Sequence, residues 1–242
     1  MQNLSHTQNL RYQKLKSYLG LIESACQQLE KNIDDIATFY LSASVSSTIL
    51  AAIQLSEDLR IEMHLSDNFP REITTIRNIE DTVNLCNNGI LERLNSYQAA
   101  IALCSVFEAW VNSLNEKLEV TKEKSITIIS WRRKNKPKVI NNQTLCLVKS
   151  IHDHFEIDSQ LCKDEILCWI YNFFVIRNIV VHEGGILRKK ERDKLVPQSQ
   201  WQKQPLNQYI KIYSNYLDDM VYFFKMNVHS FIYEVRRKCT LS

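Results

Sequence analysis

Only four glycines and four prolines punctuate the 242 residues, and between them apolar side chains recur at intervals of three and four. A β-rich chain of this length needs many turn-forming residues, so their scarcity argues for long helices. Apolar residues make up 45% of the chain, enough for a sizeable core and too many for general disorder. The expected fold class is all-α, a helical bundle.

Periodicity places the helices. A first is expected over 10–33, with Leu15, Leu19, Ile22, Cys26 and Leu29 on one stripe. A second is expected over about 35–65, broken before Pro70, and a third over about 72–86, closed by Gly89. The fourth, over about 91–119, carries Leu103, Phe107, Trp110, Leu114 and Leu118 on its core-facing stripe, with Glu108, Asn112 and Asn115 on the polar flank. Residues 120–142 mix "SITIIS" with a basic cluster and Pro137, which suits a small hairpin. Further helices are expected over 143–155, 163–183 and 206–238. Residues 1–88 read as an additional N-terminal helical layer and 89–242 as the main bundle, with no linker composition at the boundary.

No apolar stretch follows a basic start, so no secretory signal is expected. The apolar run 166–181 contains Asn172, Arg177 and Asn178 and falls short of a membrane span. The seven cysteines form no C-x-x-C pair and read as reduced thiols, so a cytoplasmic protein without a membrane partner is expected. Net charge is only +3 but unevenly spread. "RRKNKPK" (132–138) has five basic residues and no acid, and 188–203 has six basic against two acidic. Such clusters suit a polyanion.

The segment "FFVIRNIVVHEGG" (173–185) is the most informative stretch. With about 100° between successive helical residues, Ile166, Ile170, Phe173, Arg177 and Val180 share one stripe. An arginine among apolar residues needs an anion, and Glu108 or Glu183 could supply it as a core ion pair. Asn178 and His182, one turn apart, share another face, where the amide could orient the imidazole. The helix end favours the imidazolium while the neighbouring guanidinium opposes it, a balance suited to general acid–base catalysis. The planar fork of Arg177 suits a phosphate.

"RNIVVH" (177–182) resembles the R-x4–6-H signature of HEPN ribonucleases, including the asparagine that often follows the arginine. The upstream helix "ALCSVFEAWVNSLNEKL" (102–118) is similar to the HEPN helix that presents a glutamate, here Glu108. The likeness spans roughly residues 90 to 235 and implies a bundle that dimerises across the motif helices. It implies an endoribonuclease that needs neither metal nor cofactor and leaves a 2′,3′-cyclic phosphate and a 5′-hydroxyl. The implied catalytic residues are Arg177, Asn178, His182 and Glu108. Many such proteins are toxins of toxin–antitoxin or phage-defence systems, so an antitoxin protein is an expected partner. One subgroup, paired with a nucleotidyltransferase, has a tyrosine two residues after the histidine; Gly184 stands there in this chain.

In-line attack by a ribose 2′-oxygen needs a proton acceptor and a proton donor on opposite sides of phosphorus. A homodimer with a composite site would bring two His182 side chains together. Arg132, Arg133, Lys134, Lys136 and Lys138 from one cluster, and Arg188, Lys189 and Lys190 from the other, are the expected contacts to the RNA backbone. Trp131 and Trp201 could stack on bases or anchor packing. "HDHFEID" (152–158) suggests metal ligands, but His152 and His154 diverge on a helix and read as a solvated helix end. A non-catalytic HEPN-like module that binds RNA, nucleotide or protein is the alternative function.

Overall fold

A computed structural model describes residues 6–52, 60–63, 75–121, 125–128, 138–195 and 200–240. Eight α-helices run through these residues: α1 His6–Ser17, α2 Leu19–Ala52, α3 Ile79–Asn87, α4 Ile90–Leu118, α5 Gln143–Phe155, α6 Asp164–His182, α7 Lys189–Arg192 and α8 Ser214–Thr240. Two short antiparallel hairpins accompany them, β1 Arg60–Met63 with β2 Thr75–Asn78 and β3 Ile126–Ile128 with β4 Lys138–Ile140. The chain is an all-α helical bundle.

Thr75–Asn78 is a strand inside the segment 72–86 where a helix was expected, and four further elements depart from the periodicity. The first break falls at Tyr18, because the Ser17 hydroxyl takes the Lys14 carbonyl at 2.7 Å and both Leu21 and Ile22 donate to the Tyr18 carbonyl. Residues 32–35 stay helical, since Asn32 accepts from Gln28 and Asp34 reaches Lys225 on α8, so their polar groups face outward. Arg60–Met63 is a strand where a helix was expected, and its alternating polar and apolar residues have the period of a strand. Residues 206–213 do not begin α8: Asn207 has φ 60, and Tyr209 bridges to Ile186.

One apolar core runs through the bundle. Leu15 on α1 and Ile22, Leu29 and Ile33 on α2 join Phe107 and Leu114 of α4, Phe155 of α5, Phe173 of α6 and Phe224 of α8. Phe107 stacks on Phe224 at 4.8 Å, and Trp110 meets the edge of Phe231. Ion pairs Lys225–Asp34 and Arg236–Glu23 line α8 against α2. At the surface they add little compared with the apolar contact.

The end of α5 is fixed by two devices, one partly exposed and one buried. Glu156 closes the helix at φ 54, and its carboxylate accepts from Gln8 and Tyr12 of α1. His152 lies in the core, its Nδ1 donating to the Val148 carbonyl at 2.7 Å. Its Nε2 therefore accepts from the Ser159 hydroxyl, also at 2.7 Å. Both ring nitrogens are used within the chain, so this histidine is a packing element and not a solvated one.

Burial pushes the His152 imidazole down to about 4 from 6.5. A folded value below the unfolded one gives a contribution fully present above about pH 6.5 and lost as pH falls toward 4. We expect stability to drop across that window by on the order of 3 kcal/mol beyond the loss in His152→Phe, measured by urea unfolding at stepped pH.

Candidate active site

Helix α6 is apolar around most of its circumference, and Leu167, Ile170, Phe173, Phe174, Val175, Ile176 and Ile179 are all buried. It is long and apolar enough to cross a membrane by length and composition, yet half of that stretch is buried against the rest of the chain. Its last turns reach the surface. Asn178, Val181 and His182 are exposed, and the Arg177 side chain retains 29% of its exposure.

Arg177 sits where the core ends. Its Nη2 lies 3.7 Å from Glu108 Oε2 on α4, and its Nη1 donates to Asn178 Oδ1 at 3.2 Å. Thr144, near the start of α5, reaches the other Glu108 oxygen at 3.5 Å. A guanidinium has five N–H donors, and here the carboxylate contact is long. The Arg177 Nε is enclosed with no hydrogen-bond partner. A charged donor left unsatisfied is costly, and this one is sealed from solvent. The ion pair anticipated with Glu108 or Glu183 goes to Glu108, while Glu183 pairs with Arg188 at 3.0 Å.

Beneath the guanidinium lies Cys104, wholly buried. Burial pushes its thiol up to about 12, although nearby Arg177 pulls the other way. It stays protonated near neutral pH and is no nucleophile.

The amide oxygen of Asn178 turns to Arg177, so the hydrogen bond found for this residue braces the guanidinium, not the imidazole. His182 is the last residue of α6 and is open to solvent. The turn behind it holds it in place. Gly184 and Gly185 have φ of 59 and 81, and Gly185 N–H donates back to the Ile179 carbonyl, closing the helix in a Schellman-type turn. Ile210 then donates to the Gly185 carbonyl at 2.7 Å, Leu187 to Gln208, and Asn207 to Leu187. Tyr97 of α4 clamps this ladder: its hydroxyl donates to the Ile210 carbonyl at 2.8 Å, and its ring fills the space a Gly185 side chain would need. Burial holds the Tyr97 phenol up at about 12, so it remains a donor.

Arg188, Lys189 and Lys190 come directly after the first strand of the ladder and are exposed. Arg132, Arg133, Lys134 and Lys136 lie outside the described residues, as does Trp131, and Lys138 begins β4, whose partner β3 packs against α5 and α6. Trp201 is no stacking platform. It is wholly buried, donates to the Lys211 carbonyl and meets Tyr216 edge-on at 3.9 Å. A cavity of about 610 Å³ opens between α2, α4 and α8, but Asp34, Glu92 and Asp218 line it. That acidic lining is unsuited to a phosphate, and the cavity does not include Arg177 or His182. Thr144 and Tyr97 were invisible to local spacing, since each meets its partner only through the packing of α4.

No family model, curated protein or solved structure matches this chain.

The two glycines separate by environment. Gly184→Ala should cost about 1 kcal/mol, the strain of a left-handed alanine with open space around it. Gly185→Ala should cost roughly 2 kcal/mol or more, because its Cβ would stand 2.5 Å from the Tyr97 ring. Chemical denaturation of both variants reads the order.

Proposed function

We propose that this chain is a metal-independent endoribonuclease of the HEPN type, acting as a homodimer whose two His182 residues share one scissile phosphate. The observation that carries the reading is the exposed His182 five residues beyond a partly exposed Arg177, at the open end of a buried helix.

In the proposed reaction one imidazole removes the proton of the ribose 2′-hydroxyl, and the 2′-oxygen attacks phosphorus. The P–O5′ bond breaks, and the second imidazole, as imidazolium, gives its proton to the departing 5′-oxygen. The products are a 2′,3′-cyclic phosphate and a 5′-hydroxyl, and one proton has moved from one histidine to the other. Arg177 stabilises the charge that builds on the non-bridging oxygens through the part of its guanidinium that stays exposed. Asn178 holds the guanidinium fork in place, and Glu108 limits its swing from below. Exposed Val181 on the same turn supplies an apolar contact for the second copy. Arg188, Lys189 and Lys190 line the approach of the strand, with the 132–138 cluster as a second backbone contact.

Unregulated RNA cleavage harms the cell that makes it, so the reading extends to a cytoplasmic toxin or phage-defence effector held in check by an antitoxin protein. The Arg177–Glu108 pair favours a second reading, a non-catalytic module in which that contact is structural and the exposed end binds RNA, nucleotide or a partner protein.

Purified protein should cut RNA in EDTA and leave cyclic-phosphate and 5′-hydroxyl ends. His182→Ala should lower the rate by about 10²–10⁴-fold with the dimer intact. Arg177→Ala should remain folded and be similarly slow. End-group analysis beside sedimentation and circular dichroism decides it: binding without cleavage by the wild-type protein selects the second reading, and an unfolded Arg177→Ala protein makes the arginine structural.

A further inference from the structure

Arg93 and Tyr209 are far apart in sequence and meet in space. The Arg93 guanidinium carbon lies 3.9 Å from the centre of the Tyr209 ring. Tyr209 is half exposed, and Arg93 is partly so. Among the described residues no carboxylate pairs with Arg93, although Arg11, Arg177, Arg188, Arg236 and Arg237 each have one within 4 Å. Its charge is therefore offered to solvent from over the Tyr209 ring.

That position belongs to the frame that holds His182. Arg93 lies one helical turn, about 6 Å, before Tyr97 on α4. Tyr97 clamps Gly185 and Ile210, and Tyr209 is bridged to Ile186 in the same ladder. The stack is thus built from the two segments that fix the end of α6, and exposed Arg188 and Lys189 follow one of those segments in sequence.

We infer that Arg93 and Tyr209 form a stacking platform for an unpaired nucleobase of the RNA strand whose phosphate lies at Arg177 and His182. The inference rests on the ribonuclease reading and adds the substrate class: single-stranded RNA. An arginine held over an aromatic ring keeps one guanidinium face and its N–H edges open, so a base stacks on the plane while a phosphate takes the edge. A base in a duplex has both π-faces covered by its neighbours, so only a single strand uses such a platform, with little regard for base identity. A surface cation–π pair with no ligand would leave RNA binding untouched when altered.

The test uses full-length His182→Ala protein, so binding is read without cleavage, by anisotropy of a labelled single-stranded RNA and of the same sequence as a duplex. Adding Tyr209→Leu should weaken single-strand binding about tenfold, as expected for the loss of one stacked base, and leave duplex binding unchanged. Tyr209→Phe should stay within about twofold of the parent, since the stack survives. Arg93→Lys, which keeps the charge and loses the plane, should weaken single-strand binding and spare the duplex. In the catalytically competent chain, Tyr209→Leu should raise KM and leave kcat near its original value. The platform is overturned by single-strand binding unchanged in both Tyr209→Leu and Arg93→Lys, by equal losses for single strand and duplex, or by a His182→Ala parent that binds no single strand. Failure of the ribonuclease reading shows separately, as wild-type protein that binds RNA and cuts none.

Discussion

Burial of α6 on nearly every side is the constraint on which the rest of the molecule depends. A helix carrying Ile170, Phe173, Phe174, Val175, Ile176 and Ile179 around its whole circumference must be enclosed by other elements. Here α4, α5 and the β3 strand surround it, and α8 lays Phe223 and Phe224 against Phe173. Enclosure of this kind tolerates no unpaired charge, so the first cation in the helix falls where the enclosing layer stops. Arg177 is that cation. Its aliphatic stem continues the packing while its head reaches solvent, and the enclosed Nε marks the boundary between the two.

The same boundary explains the precision of the helix end. An exposed last turn would ordinarily fray, and a frayed turn cannot hold a proton-transfer group in one place. The bundle prevents this by tying residues 185–187 and 207–210 back to α4. Tyr97 fills the space left by Gly185, the Gly185 carbonyl accepts from Ile210, and Asn207 donates across to Leu187. His182 thus projects from a rigid mount without being covered by it. Neither glycine is interchangeable with the other: one serves the helix terminus, and the second also makes room for an aromatic ring.

The elements legible in the sequence are those decided by local spacing. The stripe from Leu103 to Leu118 and the double glycine after His182 mark α4 and α6 to within a residue or two, because core burial and a left-handed turn leave those signatures in neighbouring residues. The start of α8 was not legible. Residues 206–210 turn at Asn207 and are held by pairing with 185–187, a partner that no local pattern names. Trp201 was ambiguous for the same reason, since the Lys211 carbonyl that takes its indole proton is set by that loop. At the site, Arg177, Asn178 and His182 could be grouped by helical geometry alone. The direction of the Asn178 amide could not, because the guanidinium and the imidazole compete for it, and the charged guanidinium is the stronger claimant.

Proton inventory bears on why the ribonuclease reading requires a second copy. Strand cleavage by 2′-oxygen attack moves one proton in and one out on opposite sides of phosphorus. His152 cannot provide the second group, because Val148 and Ser159 occupy both its nitrogens inside the core. His154 stacks edge-on against Phe155 at the end of α5, and His229 faces Glu30 along the α2–α8 seam. Glu108 lies near Arg177, but its carboxylate is engaged by that guanidinium and by Thr144. Among the described residues, His182 is the imidazole that the fold mounts at the open end of α6, five residues beyond Arg177. In that reading a two-fold axis against the exposed turn would supply a second imidazole of the same kind without any new element of structure, and would cover exposed Val181 in doing so.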